Sequence, residues 1–220
     1  MKPGINEWGV VVAKGLNGGT TKEAIRQAAI VEFRAHGFRD ASLEDIAKTL
    51  GITRAAVLYH FGCKVELLTA VLDPYLNAVE ALLLEYDAGI ELNAKQRRRL
   101  LAELTDLFVA HHEVAGILIR DISSYSNAVV TERVAVLTET LTILMTRVRP
   151  TKVDRVIVAS ILGAVLRPLT DPLIDPTDPE TRSIISRLAL LLAKQIDHGR
   201  GDSANSEASC SLGKSQVAMK

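Results

Sequence analysis

The sequence predicts an all-α protein of about nine helices, with a small N-terminal three-helix domain joined by a long helix to a larger helical domain. Two observations carry this. Apolar residues make up 48% of the chain but aromatics only 4%, so Leu, Ile, Val and Ala must fill the interior, which favours helix packed on helix. Residues 42–64, SLEDIAKTLGITRAAVLYHFGCK, read as a helix, a tight turn and a second helix. The expected divisions are an N-terminal arm over 1–19, the helix-turn-helix domain over 20–62, a second domain over 63–198 and a disordered tail over 199–220.

The arm, MKPGINEWGVVVAKGLNGG, is glycine-rich without helical period and is expected to be loose. The first helix is predicted from Thr20 or Thr21, with Glu23 completing a cap and Ile25, Ala28, Ala29 and Phe33 as its buried stripe. Gly37 should end it, and Phe38 should tuck back beneath the helices.

In the next segment Ser42 is placed to cap a helix, with Asp45 three residues on to return the bond. Leu43, Ile46, Ala47 and Leu50 follow at i, i+3, i+4 and i+7, one apolar stripe. Gly51 can take a positive φ and stop the helix, and Thr53 can cap the next one, whose inward face carries Val57 and Phe61. A small Ala47, a turn glycine and a branched Val57 at this spacing meet the needs of a helix-turn-helix. The outer face of the second helix offers Arg54, Tyr59 and His60, then Lys64, with no acidic residue from Arg54 to Lys64. Small Ala55 and Ala56 at its start would let the backbone approach a major groove. On this reading Ser42, Thr53, Tyr59 and Lys64 position phosphates, while Arg54, Ala55 and Ala56 meet base edges. The blander alternative is a helical hairpin with a solvated outer face. Net charge is +0 overall, and residues 20–64 carry a mild bias of seven basic against five acidic side chains.

These residues also carry a resemblance. GITRAAVLYHFGCKVELL is similar to the segment of TetR-family repressors that reads G-[VI]-[ST]-x-[GA]-x-[LV]-Y-x-[HY]-F-x-[SN]-K-x-x-L, and TTKEAIRQAAIVEFRAHGFRDASLEDIA resembles that family's first helix and its Gly-Phe exit. Two departures stand out: Leu58 where the family has a phosphate-contacting Tyr, and Cys63 where it has Ser or Asn. The resemblance implies a homodimeric transcriptional regulator, a repressor by expectation, that binds a palindromic operator in double-stranded DNA. It also implies a small hydrophobic effector enclosed by the fourth to eighth helices. The modest charge and Leu58 leave one alternative, a helical dimer that keeps the fold as a protein-binding adapter without reading DNA.

The fourth helix is expected from Cys63 or Lys64 to about Tyr86, kinked ahead of Pro74. Asn93 should cap a fifth, with Leu100, Leu101, Leu104, Leu107 and Phe108 inside. Its start carries Lys95, Arg97, Arg98 and Arg99, a basic run that opposes the helix dipole. A solvated face is expected there, a phosphate or acidic partner being the sharper alternative. His111 and His112 break before a sixth helix, from Glu113 to about Tyr125, and adjacent helical residues point too far apart to grip one metal together. A seventh runs from about Ala128 to Arg149. Inward-facing positions suggest Phe108, His112, Ile119, Tyr125, Leu141 and Met145 as the lining of an apolar pocket. The eighth, from Thr151 to about Leu166, is apolar on nearly every side and must be covered all round. After a proline-rich connector, Asp178 and Pro179 open the ninth. Two such apolar helices read as a dimer interface, with Ala159, Gly163, Ile185, Leu188 and Leu192 at its centre.

No motif for catalysis, cofactor or metal binding stands out, so an enzyme is not expected. Two cysteines make no disulfide framework, no signal peptide is visible, and the apolar run 156–166 is too short to span a membrane. A cytoplasmic protein with no membrane partner is expected.

Overall fold

A computed structural model describes residues 4–5, 11–12, 18–86, 89–121, 128–147, 149–171 and 173–214. Nine α-helices run through them: α1 Gly18–Asp40, α2 Leu43–Leu50, α3 Arg54–Phe61, α4 Lys64–Leu84, α5 Ala94–Ala110, α6 His112–Asp121, α7 Ala128–Met145, α8 Lys152–Leu166 and α9 Pro179–Lys214. A short 3₁₀ turn, Arg167–Thr170, follows α8.

Four boundaries depart from the sequence reading. The arm is not wholly irregular, since Gly4–Ile5 and Val11–Val12 pair as a two-residue antiparallel ladder, and α1 already begins at Gly18. The arm's Trp8 lies outside the described residues. α7 stops at Met145, short of Arg149. The tail expected from Gly199 is helical to Lys214, because glycine lowers helix propensity by about 1 kcal/mol without forbidding the conformation.

By their contacts the helices fall into two units, Met1–Ala81 with His111–Val136, and Leu82–Ala110 with Leu137–Lys220. The expected boundary at residue 63 therefore falls within the first unit, which takes in most of α4 together with α6.

In the first unit, α1 buries Ile25, Ala28, Ala29 and Phe33, and the Phe38 ring meets Phe33 edge-on at 5.8 Å. Gly37, at φ 77°, breaks the helical path of α1, a conformation in which a Cβ would be strained. α6 packs on α1, where Arg120 donates to the carbonyls of Phe33 and Arg34, and Arg34 pairs with Glu113. α4 is apolar enough in length and composition to cross a membrane, but it spends that surface inside the protein, burying Leu67, Leu68, Val71, Leu72, Tyr75 and Leu76. Pro74 lies within it.

In the second unit, α5 starts on a reciprocal cap: Asn93 Oδ1 accepts from Gln96 N at 3.0 Å while Gln96 Oε1 accepts from Asn93 N at 2.9 Å. α8 opens on the same device, Thr151 with Asp154. Asp154 is buried and its Oδ2 also lies 3.1 Å from Arg147 Nε. Burial works against its charge, but the hydroxyl and amide of Thr151 and the Arg147 cation prevail, so its carboxyl titrates below the ordinary value. α8 and α9 pack along each other, and both touch α5.

Candidate nucleic-acid interface

The chain enters α2 through Ser42, whose Oγ accepts from Glu44 N at 3.2 Å and Asp45 N at 3.4 Å. The expected return bond from Asp45 is not made. Glu32 of α1 takes the Ser42 amide instead, at 3.1 Å, and Asp45 pairs with Lys48. No local signal marks Glu32, because it reaches Ser42 only through the way α1 packs. Gly51 ends α2 at φ 66°, and the next amide, Ile52 N, reaches back to the Ala47 carbonyl at 3.0 Å. Thr53 then caps α3, its Oγ1 accepting from Ala56 N at 3.1 Å.

Val57 and Phe61, one turn apart, are buried and set the roll of α3. Arg54, Ala55 and Tyr59 are consequently exposed, and Ala56, Leu58 and His60 lie half-buried along the flanks. Tyr59 is 86% exposed, with its ring edge-on to His60 at 5.4 Å. Arg54 makes no hydrogen bond or ion pair among the described residues, so its five N–H donors are available. A large aromatic and an unpaired guanidinium beside exposed alanine form a surface with donors but no intramolecular use for them.

Lys64 is committed elsewhere. Its Nζ donates to the Arg39 carbonyl at 2.9 Å, near the C-terminal end of α1, and lies 5.0 Å from the centre of the Phe38 ring. Burial holds its amine below the ordinary lysine range. The structure thus gives Lys64 the role of a tie between α1 and α4, and the sequence offered no means of seeing that carbonyl. Cys63 is exposed, one residue before α4, where Leu67 N reaches its carbonyl at 3.1 Å.

Of the pocket residues, Phe108, Leu141 and Met145 do come together. With Leu104, Val158 and Ile161 they line a cavity of only about 10 Å³ in the second unit, room for one water and no organic molecule. His112 and Ile119 belong to the first unit and are half-buried. Tyr125 lies outside the described residues. Among the described residues no group of three His, Cys, Asp or Glu side chains is placed to hold a metal.

The residues chosen for dimerisation divide. Ala159, Gly163 and Leu188 are exposed and Leu192 is half-buried, whereas Ile185 is 2% exposed and belongs to the subunit's own core. Its neighbour Ile184 faces outward instead. α8 is also not covered all round: Val153 and Val156 are exposed in line with Ala159 and Gly163, and Ile184, Leu188 and Leu191 make a matching row on α9 at i, i+4 and i+7. Sequence reasoning missed Val153, Val156, Ile184 and Leu191, although their spacing would have grouped them.

Residues 25–71, which contain this entire turn and both its helices, match the family model for bacterial regulatory proteins of the tetR family. That match makes the head of the chain, residues 25–71, similar to this family. Over 73 residues, 32% of this chain and 33% of the relative, it is 44% identical to the HTH-type transcriptional regulator SrpR of Pseudomonas putida. The matched stretch spans between 33% and 52% of the length of the curated relatives. The tetR-type fold extends further than the sequence likeness. The ketosteroid transcriptional regulator KstR2 of Mycobacterium tuberculosis superposes with a TM-score of 0.63 at 17% identity, over 84% of this chain and 98% of that one. AibR, in complex with isovaleryl coenzyme A and operator DNA, does so at 0.62 and 19% identity, over 77% and 95%. The tetR-family head is therefore shared in sequence, and the remaining helices in fold alone.

Proposed function

We propose that this chain is a homodimeric, sequence-specific transcriptional regulator, acting as a repressor that a small apolar effector releases from a palindromic operator in cytoplasmic DNA. The observation that carries the reading is the exposed face of α3, where an unpartnered Arg54 stands beside Ala55 and Tyr59 with no carboxylate on the helix. Arg54 reads a guanine edge through its forked donors, Ala55 and Ala56 let the helix approach, and Ser42, Thr53, Tyr59 and His60 hold the flanking phosphates. Leu58 contributes apolar contact, and Lys64 acts by fixing α1 against the start of α4.

Dimerisation is supported by the uncovered apolar rows of α8 and α9, since a two-fold axis would set like rows against each other. The effector site is assigned to the core of Phe108, Leu141 and Met145, which must open to admit a ligand. A protein of the same fold described as a ketosteroid regulator supports an apolar effector, and one described in complex with isovaleryl coenzyme A and operator DNA supports a regulator that takes a small organic ligand. Such a ligand weakens DNA binding by its differential affinity for the two states of the head.

Selection of bound duplexes from a random pool, followed by anisotropy titration at physiological salt, tests the reading. A palindromic consensus bound at least about a thousandfold more tightly than random DNA is expected. Equal binding to all sequences, or none, would return the chain to the class of helical adapters.

A further inference from the structure

The basic run that opens α5 is not one solvated face. Arg99 is taken by Glu103 at 2.7 Å, and Arg97 is buried with its guanidinium donating to the Leu92 carbonyl. Arg98 is exposed and has no hydrogen bond or ion pair among the described residues. α9 packs on α5 and brings Arg187 and Lys194, seven residues apart and so on one face, about 10 Å apart along the axis. Arg187, too, is exposed and has no such partner. Arg97, Arg98, Arg187 and Lys194 border a cleft of about 300 Å³ whose other walls are Ala94, Leu190, Leu191 and Ala193, and among the described residues no carboxylate borders it.

The unpartnered guanidiniums of Arg98 and Arg187 border one concavity, and its apolar walls focus their field. The volume is that of a small-molecule site. Guanidinium forks match phosphoryl oxygens in pairs, and a lysine adds a mobile point charge.

We propose that this cleft binds a small organic phosphate, with Arg98 and Arg187 gripping the phosphoryl oxygens, Lys194 adding charge, and the organic part resting on Leu190 and Leu191. The site shares no residue with α3 or with the Phe108–Met145 core, so it stands whether or not the chain reads DNA. Leu191 also belongs to the apolar row of α9, and the test therefore uses the full chain in whatever oligomeric state it adopts.

Calorimetric titration at low ionic strength with phenyl phosphate and, separately, inorganic phosphate tests the assignment. Saturable binding near one per chain is expected, tighter for phenyl phosphate. The double variant Arg98→Gln/Arg187→Gln should weaken binding at least about tenfold while keeping its helical content, both side chains being exposed. Arg54→Ala should bind the anion like the wild type. The absence of saturable heat, or a double variant that binds unchanged, overturns the site. Loss of binding in Arg54→Ala would move the anion to α3 and also overturn it, and equal affinity for the two probes would remove the organic part from the proposal.

Discussion

Gly163→Leu separates what α8 does within the subunit from what it does between subunits. A Cβ built on Gly163 meets nothing within 4 Å among the described residues, and the residue is exposed, so a larger side chain starts out into open space. Within the subunit, replacing a mid-helix glycine gains helix propensity of about 0.5–1 kcal/mol, and the melting temperature should hold or rise slightly. If the rows of α8 and α9 face a second copy, each inserted Leu must force that packing apart at about 1–3 kcal/mol. A two-fold axis doubles the effect to about 2–6 kcal/mol, which weakens dimerisation by about 30-fold to 10⁴-fold. Sedimentation equilibrium with parallel thermal melting reads both quantities on one sample. An unweakened dimer would place the interface elsewhere. A marked drop in melting temperature under conditions where the wild type is monomeric would refute the premise that a side chain added at Gly163 meets open space within its own subunit.

Arg54→Ala should cost about 1–3 kcal/mol per half-site on the selected operator and far less on random DNA, read by anisotropy titration. Equal losses on both would mean that α3 is not reading bases. Lys64→Ala should lower stability by about 1 kcal/mol through the lost tie to the Arg39 carbonyl, yet leave the slope of log K against log salt unchanged, whereas a phosphate contact would flatten it by about 0.9. Asp154→Asn should cost about 2–3 kcal/mol at neutral pH, because it weakens the cap of α8 and leaves Arg147 without its counter-charge. The folded carboxyl titrates below the ordinary 3.8, so that stabilisation is complete above about pH 4 and fades as pH falls through the folded value; a gap between wild type and variant that stayed constant into strong acid would contradict it. Cys63→Ser should add up to about 1 kcal/mol by supplying a better acceptor ahead of α4, and an unchanged melting temperature would rule out the capping argument.

What could be read from the sequence was local. Ser42, Thr53 and Asn93 cap because their side-chain oxygens lie within three residues of the amides they accept from. Gly37 and Gly51 break their helices because a positive φ strains nearly every residue with a Cβ. Val57 and Phe61 fix which side of α3 faces outward, so Arg54 and Tyr59 could be named before any coordinates were considered. Tertiary packing decided the rest. Glu32 is ten residues from the Ser42 amide it accepts from, and Lys64 is twenty-five from the carbonyl it binds, distances over which spacing carries no signal. Ile184 and Ile185 are chemically identical, and only the neighbours of α9 determine which one is buried. Arg97, Arg98 and Arg99 read as one basic run, yet a carbonyl takes the first, a glutamate takes the third, and the second is left facing a cleft that α9 completes. Periodicity and capping are set by a helix's own few residues, whereas the partner of a long polar side chain depends on what folding brings alongside it.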